Sequence, residues 1–109
     1  MNNIMYVDDS TFEAEVMNSK LPVLVDFTAE WCEPCKRQSP VLETLAFEKI
    51  NVLKVVKVDI DESPGITSKF GVRSVPSMLL IKDGQKVDIK IGLTSLANLA
   101  SFVSQKLGI

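Results

Sequence analysis

Histidine is absent from this chain, and cysteine occurs only twice, at Cys32 and Cys35. The missing imidazole excludes Ser-His and Cys-His nucleophile pairs and every histidine-ligated metal site. Two thiolates cannot complete a tetrahedral zinc site within one chain, although a dimer pooling its thiolates around zinc or an iron–sulfur cluster stays open as an alternative. No run of Lys or Arg forms a basic stripe and the net charge is −2, so nucleic acid is not an expected partner. No apolar run approaches the roughly 18 residues of a membrane span, and no membrane partner is expected. The stretch Met1–Ser10 has neither a positive leader nor a long apolar core, so no signal peptide is expected and the cytoplasm is the expected location. Thiols there stay mostly reduced, and a lone cysteine pair is more often catalytic or metal-binding than structural. With 46% apolar and 24% charged residues over 109 positions, the composition predicts one globular domain, residues 1–109.

Periodicity supplies the elements. Ile4–Val7 reads as a short edge strand. Ser10 followed by Glu13 fits a capping box opening a helix over 10–19 that buries Phe12, Val16 and Met17. Val23–Phe27 is apolar on both faces except at Asp26, as a central strand of a covered parallel sheet should be. Lys36–Lys49 reads as a helix with Val41, Leu42, Leu45 and Ala46 in one stripe and a kink at Pro40. A third strand follows over Val52–Val58, then a short helix within Asp61–Phe70 that Gly71 ends. Ser77–Lys82 and Lys86–Ile91 flank a turn at Asp83-Gly84-Gln85, and Thr94 or Ser95 caps a last helix that Gly108 stops. The order βαβαβαββα predicts an α/β fold with a mixed sheet, parallel in its first part and covered on both faces.

Both cysteines lie within one helical turn. Cα atoms three residues apart on a helix are roughly 5 Å from each other, inside the range of roughly 4.4–6.8 Å that a disulfide needs. Such a bridge closes too small a loop to stabilise the chain much, so it suits a switch better than a staple. Cys32 opens the helix, where unsatisfied amides favour a thiolate, and Pro34 costs nothing so early. Lys36 and Arg37 add positive charge nearby while Glu30 and Glu33 oppose it. Cys35, a turn further in, is expected to be more buried and to keep its proton longer. Cys32 is then the attacking thiolate and Cys35 the resolving thiol. Resolution needs a base. Asp26, an acid in an apolar strand that runs into the cysteine loop, is the candidate acceptor, directly or through a water. Lys57, in the third strand, is either its partner or a snorkelling surface lysine.

These residues carry a resemblance. Val25-Asp26-Phe27, Trp31-Cys32-Glu33-Pro34-Cys35-Lys36, Pro40, Val58-Asp59-Ile60-Asp61, the run Phe70–Ser77, Asp83-Gly84 and Gly92 together resemble the thioredoxin family, in order and over nearly the whole chain. A lowered cysteine pKa is a known trait of CxxC motifs, those of thioredoxins among them. The resemblance implies a thioredoxin fold, a central mixed sheet of about five strands flanked by four helices. It implies a protein-disulfide reductase acting as a monomer on disulfide-containing client proteins. The partner that recharges it would be the flavoprotein thioredoxin reductase, so that NADPH is used indirectly and no cofactor is tightly bound. Carried over by position, Cys32 and Cys35 are the redox pair and Asp26 and Lys57 handle protons. Trp31 shields the site and, with Glu33, Pro34, Val75, Pro76 and Gly92, forms the substrate-binding surface. Pro76 is expected to be cis, with Val75 offering backbone bonds to an extended substrate and Gly92 leaving room beside the groove.

Three positions depart from the family's habit: Glu33 where Gly is usual, Ser77 where Thr is common, and Leu93 where a small residue is common. Leu93 narrows or greases the groove and bears on substrate range rather than chemistry. Two other functions compete with a reductase. A binding scaffold on the same fold would not need a buried acid behind its thiols, and an oxidant or isomerase of an oxidising compartment would need export.

Overall fold

The computed structural model describes residues 4–109. Residues 1–3, part of the stretch weighed above for a signal peptide, lie outside the described residues. The strands are β1 (Met5–Tyr6), β2 (Val23–Thr28), β3 (Lys54–Asp59), β4 (Ser77–Lys82) and β5 (Gln85–Ile91). They form one sheet in the order β1-β3-β2-β4-β5. β3 pairs parallel with both β1 and β2, and β4 pairs antiparallel with β2 and β5. The helices are a π-helical segment (Glu13–Met17), α1 (Glu33–Glu48), α2 (Pro64–Lys69) and α3 (Leu96–Leu107). This is the expected mixed sheet and element order.

Strand alternation divides the core into two layers. Leu24, Val55, Met78 and Leu80 meet Leu42 and Leu45 of α1 and Leu99, Val103 and Leu107 of α3. On the opposite face Val23, Val25, Phe27, Val56, Val58 and Leu79 meet Phe12 and Val16, and the Phe12 ring lies 5.6 Å from that of Phe70. Each such fully buried side chain contributes about 1.5–3 kcal/mol. The same alternation puts Asp26 on the Leu24 side, facing α1, with Met78 and Lys57 as its register partners.

Several boundaries differ from expectation, each for a local reason. The capping box does not form at Ser10 and Glu13. Asp8 takes that place: its Oδ1 accepts from the Ser10 and Thr11 amides at 3.0 and 3.1 Å, and Thr11 Oγ1 accepts from the Asp8 amide at 2.9 Å. A carboxylate is the stronger acceptor, and the hydroxyl of Ser10 also donates to it; these bonds, that of the Ser10 side chain first, hold the Asp8 carboxyl below its ordinary pKa. The helix that follows winds wider than an α-helix, with the Asn18 amide reaching back to the Glu13 carbonyl. α1 starts at Glu33 rather than Lys36, because Cys32 itself serves as its N-cap. It continues through Pro40, whose carbonyl accepts from Thr44 Oγ1. β3 begins at Lys54 because the Val52 and Leu53 amides are taken by the Lys49 carbonyl. The hairpin turn is two residues, Asp83 and Gly84, with φ of 53° and 72°, the primed geometry that suits Asp-Gly between strands. Ser95, not Thr94, caps α3 by accepting from the Asn98 amide.

The π-helical end of the molecule is tied to α2 by a contact across 56 residues. Asp9 accepts from the Gly65 and Ile66 amides at 2.9 and 2.8 Å, satisfying donors that a helix start leaves open. Asp9→Ala is expected to cost about 1 kcal/mol, read as a lowered midpoint in urea. An unchanged midpoint would contradict the cap.

Candidate active site

β2 delivers the chain into the loop Ala29–Trp31, and α1 begins immediately after it. At that junction Cys32 and Cys35 are joined by a disulfide, with Cα atoms 5.3 Å apart. Cys32 Sγ accepts a hydrogen bond from the Cys35 amide at 3.2 Å, so the helix start presents a donor to the sulfur that would carry negative charge on reduction. Pro34 sits in the first turn, where its missing N–H removes no helix bond. The expected difference in burial is not found: both cysteines are 4% exposed. The asymmetry between them is one of surroundings. Cys32 Sγ lies 3.7 Å from the Val75 carbonyl, on the side of the Pro76 loop. Cys35 instead lines a cleft of 770 Å³ together with Ser39, Lys57, Tyr6 and Asp59.

The loop beside Cys32 is held from two directions. The Val75–Pro76 bond is cis, and the Pro76 carbonyl accepts from the Gly92 amide at 2.8 Å. Gly92 has φ of 91°, a region that favours glycine. Ser77 fills the position where Thr is usual and donates through Oγ to the Ser74 carbonyl at 2.7 Å. Trp31 is 68% exposed next to the disulfide, and its indole N–H donates to Asp61 Oδ2 at 2.8 Å. Leu93 and Ile91 are exposed near Gly92. Val75 thus reaches Cys32 directly, Gly92 is bonded to Pro76 next to it, and Trp31 precedes Cys32 in the chain.

Glu33 is exposed at the first position of α1 and pairs with Lys36 at 3.9 Å. Its carboxylate competes with a Cys32 thiolate for the same helix-start potential. Glu33→Gly is expected to raise the thiolate fraction, moving the pH profile of Cys32 alkylation by iodoacetamide down by about half a pH unit. A profile that stays put or moves up would refute this.

On β2, on the face of the sheet that α1 covers, Asp26 is buried and its Oδ1 accepts no hydrogen bond, so backbone amides do not satisfy that oxygen. Desolvation pushes its pKa from 3.8 up to about 7, with the positive charge of Lys57 opposing the rise. Lys57 is 6% exposed, so it is not a snorkelling surface residue. Its ammonium is nonetheless not paired with Asp26: Nζ donates to Ser39 Oγ and lies 5.9 Å from the centre of the Tyr6 ring. Burial, then Asp26 and Asp59, raise the Tyr6 hydroxyl above its ordinary pKa.

Three structural partners, Gln38, Asp61 and Ser39, were not expected from the sequence. Gln38 is fully buried and clamps Thr94, accepting from its amide at 2.8 Å and donating to its carbonyl at 3.1 Å. The clamp fixes the strand-to-helix loop after Gly92 to the helix that carries the thiols. Its position one turn before Leu42 was a usable signal of burial. Asp61 and Ser39 gave no such local signal. Among the described residues no group of three or more His, Cys, Asp or Glu is arranged to hold a metal ion, and no helix is long and apolar enough to cross a membrane.

A disulfide closed across the start of a helix, with the Val75 carbonyl beside it and a buried acid on the strand that leads into it, defines a thiol-disulfide oxidoreductase. Comparison with known proteins narrows the class. The family model described as Thioredoxin matches residues 3–105. The chain is 43% identical to the thioredoxin of Haemophilus influenzae over 105 residues, covering 96% of this chain and 98% of that one. It is 45% identical to the thioredoxin of Rickettsia felis over 101 residues (93% and 96%), and 44% identical to thioredoxin 1 of Synechococcus elongatus over 101 residues (93% and 94%). The chain belongs to the thioredoxin family.

Proposed function

We propose that this chain, as a single monomeric domain in the cytoplasm, reduces disulfides of client proteins and is recharged by the flavoprotein thioredoxin reductase at the expense of NADPH. The observation that carries the reading is the Cys35 amide donating to Cys32 Sγ at the start of α1. It supports Cys32 as the sulfur that bears charge and attacks.

In the reduced protein the Cys32 thiolate attacks one sulfur of the client disulfide. A Cys32–client bond forms, the client S–S bond breaks, and the second client sulfur leaves as a thiolate that takes a proton from water. Cys35 then gives its proton to Asp26, whose pKa of about 7 suits an acceptor at neutral pH. The Cys35 thiolate attacks Cys32 Sγ, the Cys32–client bond breaks, the remaining client sulfur leaves as a thiolate that takes a proton from water, and the Cys32–Cys35 disulfide forms. The client gains two electrons and the cysteine pair loses two. An extended client segment lies along Val75 and Pro76, with Trp31 and Gly92 on its flanks and Glu33 and Pro34 at its end.

An insulin-disulfide reduction assay tests this, first with a dithiol donor and then with NADPH and a thioredoxin reductase. Turnover is expected in both. None in either would sink the reading, and turnover with the dithiol alone would remove the reductase from it.

A further inference from the structure

An ammonium that is almost wholly buried beside a carboxylate ordinarily donates to it, since an unpaired charge in such a place is costly. Lys57 and Asp26 stand directly opposite each other in the parallel register of β2 and β3. Yet Lys57 Nζ donates to Ser39 Oγ, no ion pair joins Lys57 to Asp26 among the described residues, and Asp26 Oδ1 is left without a donor. Ser39 lies on α1, one turn after Cys35, on the helix that covers this part of the sheet. Ser39 and Lys57 both line the cleft that reaches Cys35.

We infer that Ser39 is a positioning residue: its hydroxyl holds the Lys57 ammonium off the Asp26 carboxyl and so keeps an Asp26 oxygen free to take the Cys35 proton. The second part rests on the role proposed above for Asp26, and the first part on geometry alone. The arrangement separates two jobs of the lysine. Its charge still acts on Asp26 through space, while its hydrogen bond goes elsewhere. A carboxylate whose lone pair is already engaged by an ammonium is a weaker base than one that only feels the charge.

Other groups compete for the ammonium. The Tyr6 ring approaches it from β1, and the carboxylates of Asp8, Glu30, Asp59 and Glu62 line the same cleft, as does the ammonium of Lys36. Asp8, Glu30, Glu62 and Lys36 are exposed and Asp59 is half-buried, so water screens them. Asp26 is the buried partner, where attraction is least screened. Loss of the Ser39 hydroxyl should therefore send Lys57 toward Asp26.

The test follows the Asp26 carboxyl carbon by NMR across pH in the oxidised protein, for wild type, Ser39→Ala and Ser39→Thr. Ser39→Ala is expected to move the Asp26 titration down by about half a unit or more, roughly threefold in its ionisation constant. Ser39→Thr keeps the hydroxyl and should titrate with wild type. Introduced into Lys57→Met, Ser39→Ala should move nothing. Alanine is a good helix former at this half-buried position of α1, so the variant is expected to fold. An Asp26 titration unmoved by Ser39→Ala, or moved equally by Ser39→Thr or without the lysine, would overturn the inference. The same variants are then compared for release of client from a mixed disulfide on Cys32, as a function of pH. That profile should shift with Asp26. A shift of Asp26 without a shift of the release profile would overturn Asp26 as the acceptor while leaving the hold of Ser39 on Lys57 in place.

Discussion

Replacing Cys35 with serine is expected to stop turnover and leave the protein covalently joined to its client. The attacking sulfur, Cys32 Sγ, keeps its helix-start donor because the amide of residue 35 is backbone and survives the substitution. The first exchange therefore proceeds and the mixed disulfide forms. The second cannot. A serine hydroxyl one turn away is no nucleophile toward sulfur at neutral pH, and no other thiol exists in the chain. Multiple turnover of insulin disulfides should fall by more than about a hundredfold, since only slow external thiols can release the adduct. Mass spectrometry of the non-reduced protein should show one client chain per molecule, lost on adding a dithiol. Cys32→Ser should give no such adduct, although Cys35 is no more covered by the fold. Cys35 lines the cleft of Ser39 and Lys57, whereas the sulfur that meets the Val75 carbonyl is that of Cys32. Were Cys32→Ser the variant that accumulates client, the two roles would be reversed.

What could be read from the sequence divides by the range of the interaction. The strand Val23–Phe27 and its buried acid were legible because an apolar run flags burial and a carboxylate inside it has no local excuse. The Asp-Gly turn and Gly108 were legible because positive φ demands particular residues. That Cys32 stands at the start of α1 was legible from Pro34 behind it; that its own sulfur caps the helix was not, since cysteine is not among the usual N-caps and acts as one only in this geometry. Ser10 lost its capping place to Asp8 in a competition between acceptors that spacing alone does not decide. The pairing of Lys57 was the least legible. A lysine stem reaches several neighbours, and the one it chose lies 18 residues away on another element. The family resemblance supplied Asp26 and Lys57 as a pair; the hydroxyl of Ser39 takes the hydrogen bond of Lys57.

Removing the buried acid is expected to change stability in a strongly pH-dependent way. Asp26 has its folded-state pKa raised from 3.8 to about 7, desolvation being the larger cause and Lys57 opposing it. The folded chain therefore holds this proton more tightly than the unfolded chain does. The stabilisation is complete below about pH 4 and disappears as pH rises through 7. At about 1.4 kcal/mol per unit, the swing between those limits is about 4 kcal/mol, a large fraction of the stability of a domain this size. Asp26→Ala also leaves a small gap beside Met78, but that packing cost does not titrate. Relative to wild type, the variant should thus gain about 4 kcal/mol between pH 4 and pH 8.5, measured by urea unfolding of the oxidised protein at several pH values. The same substitution should slow client release tenfold or more at pH 7, so one group's loss makes the protein sturdier and the enzyme poorer. A constant stability difference at every pH would mean that Asp26 is not held neutral by burial, and its case as the acceptor for Cys35 would fall with it.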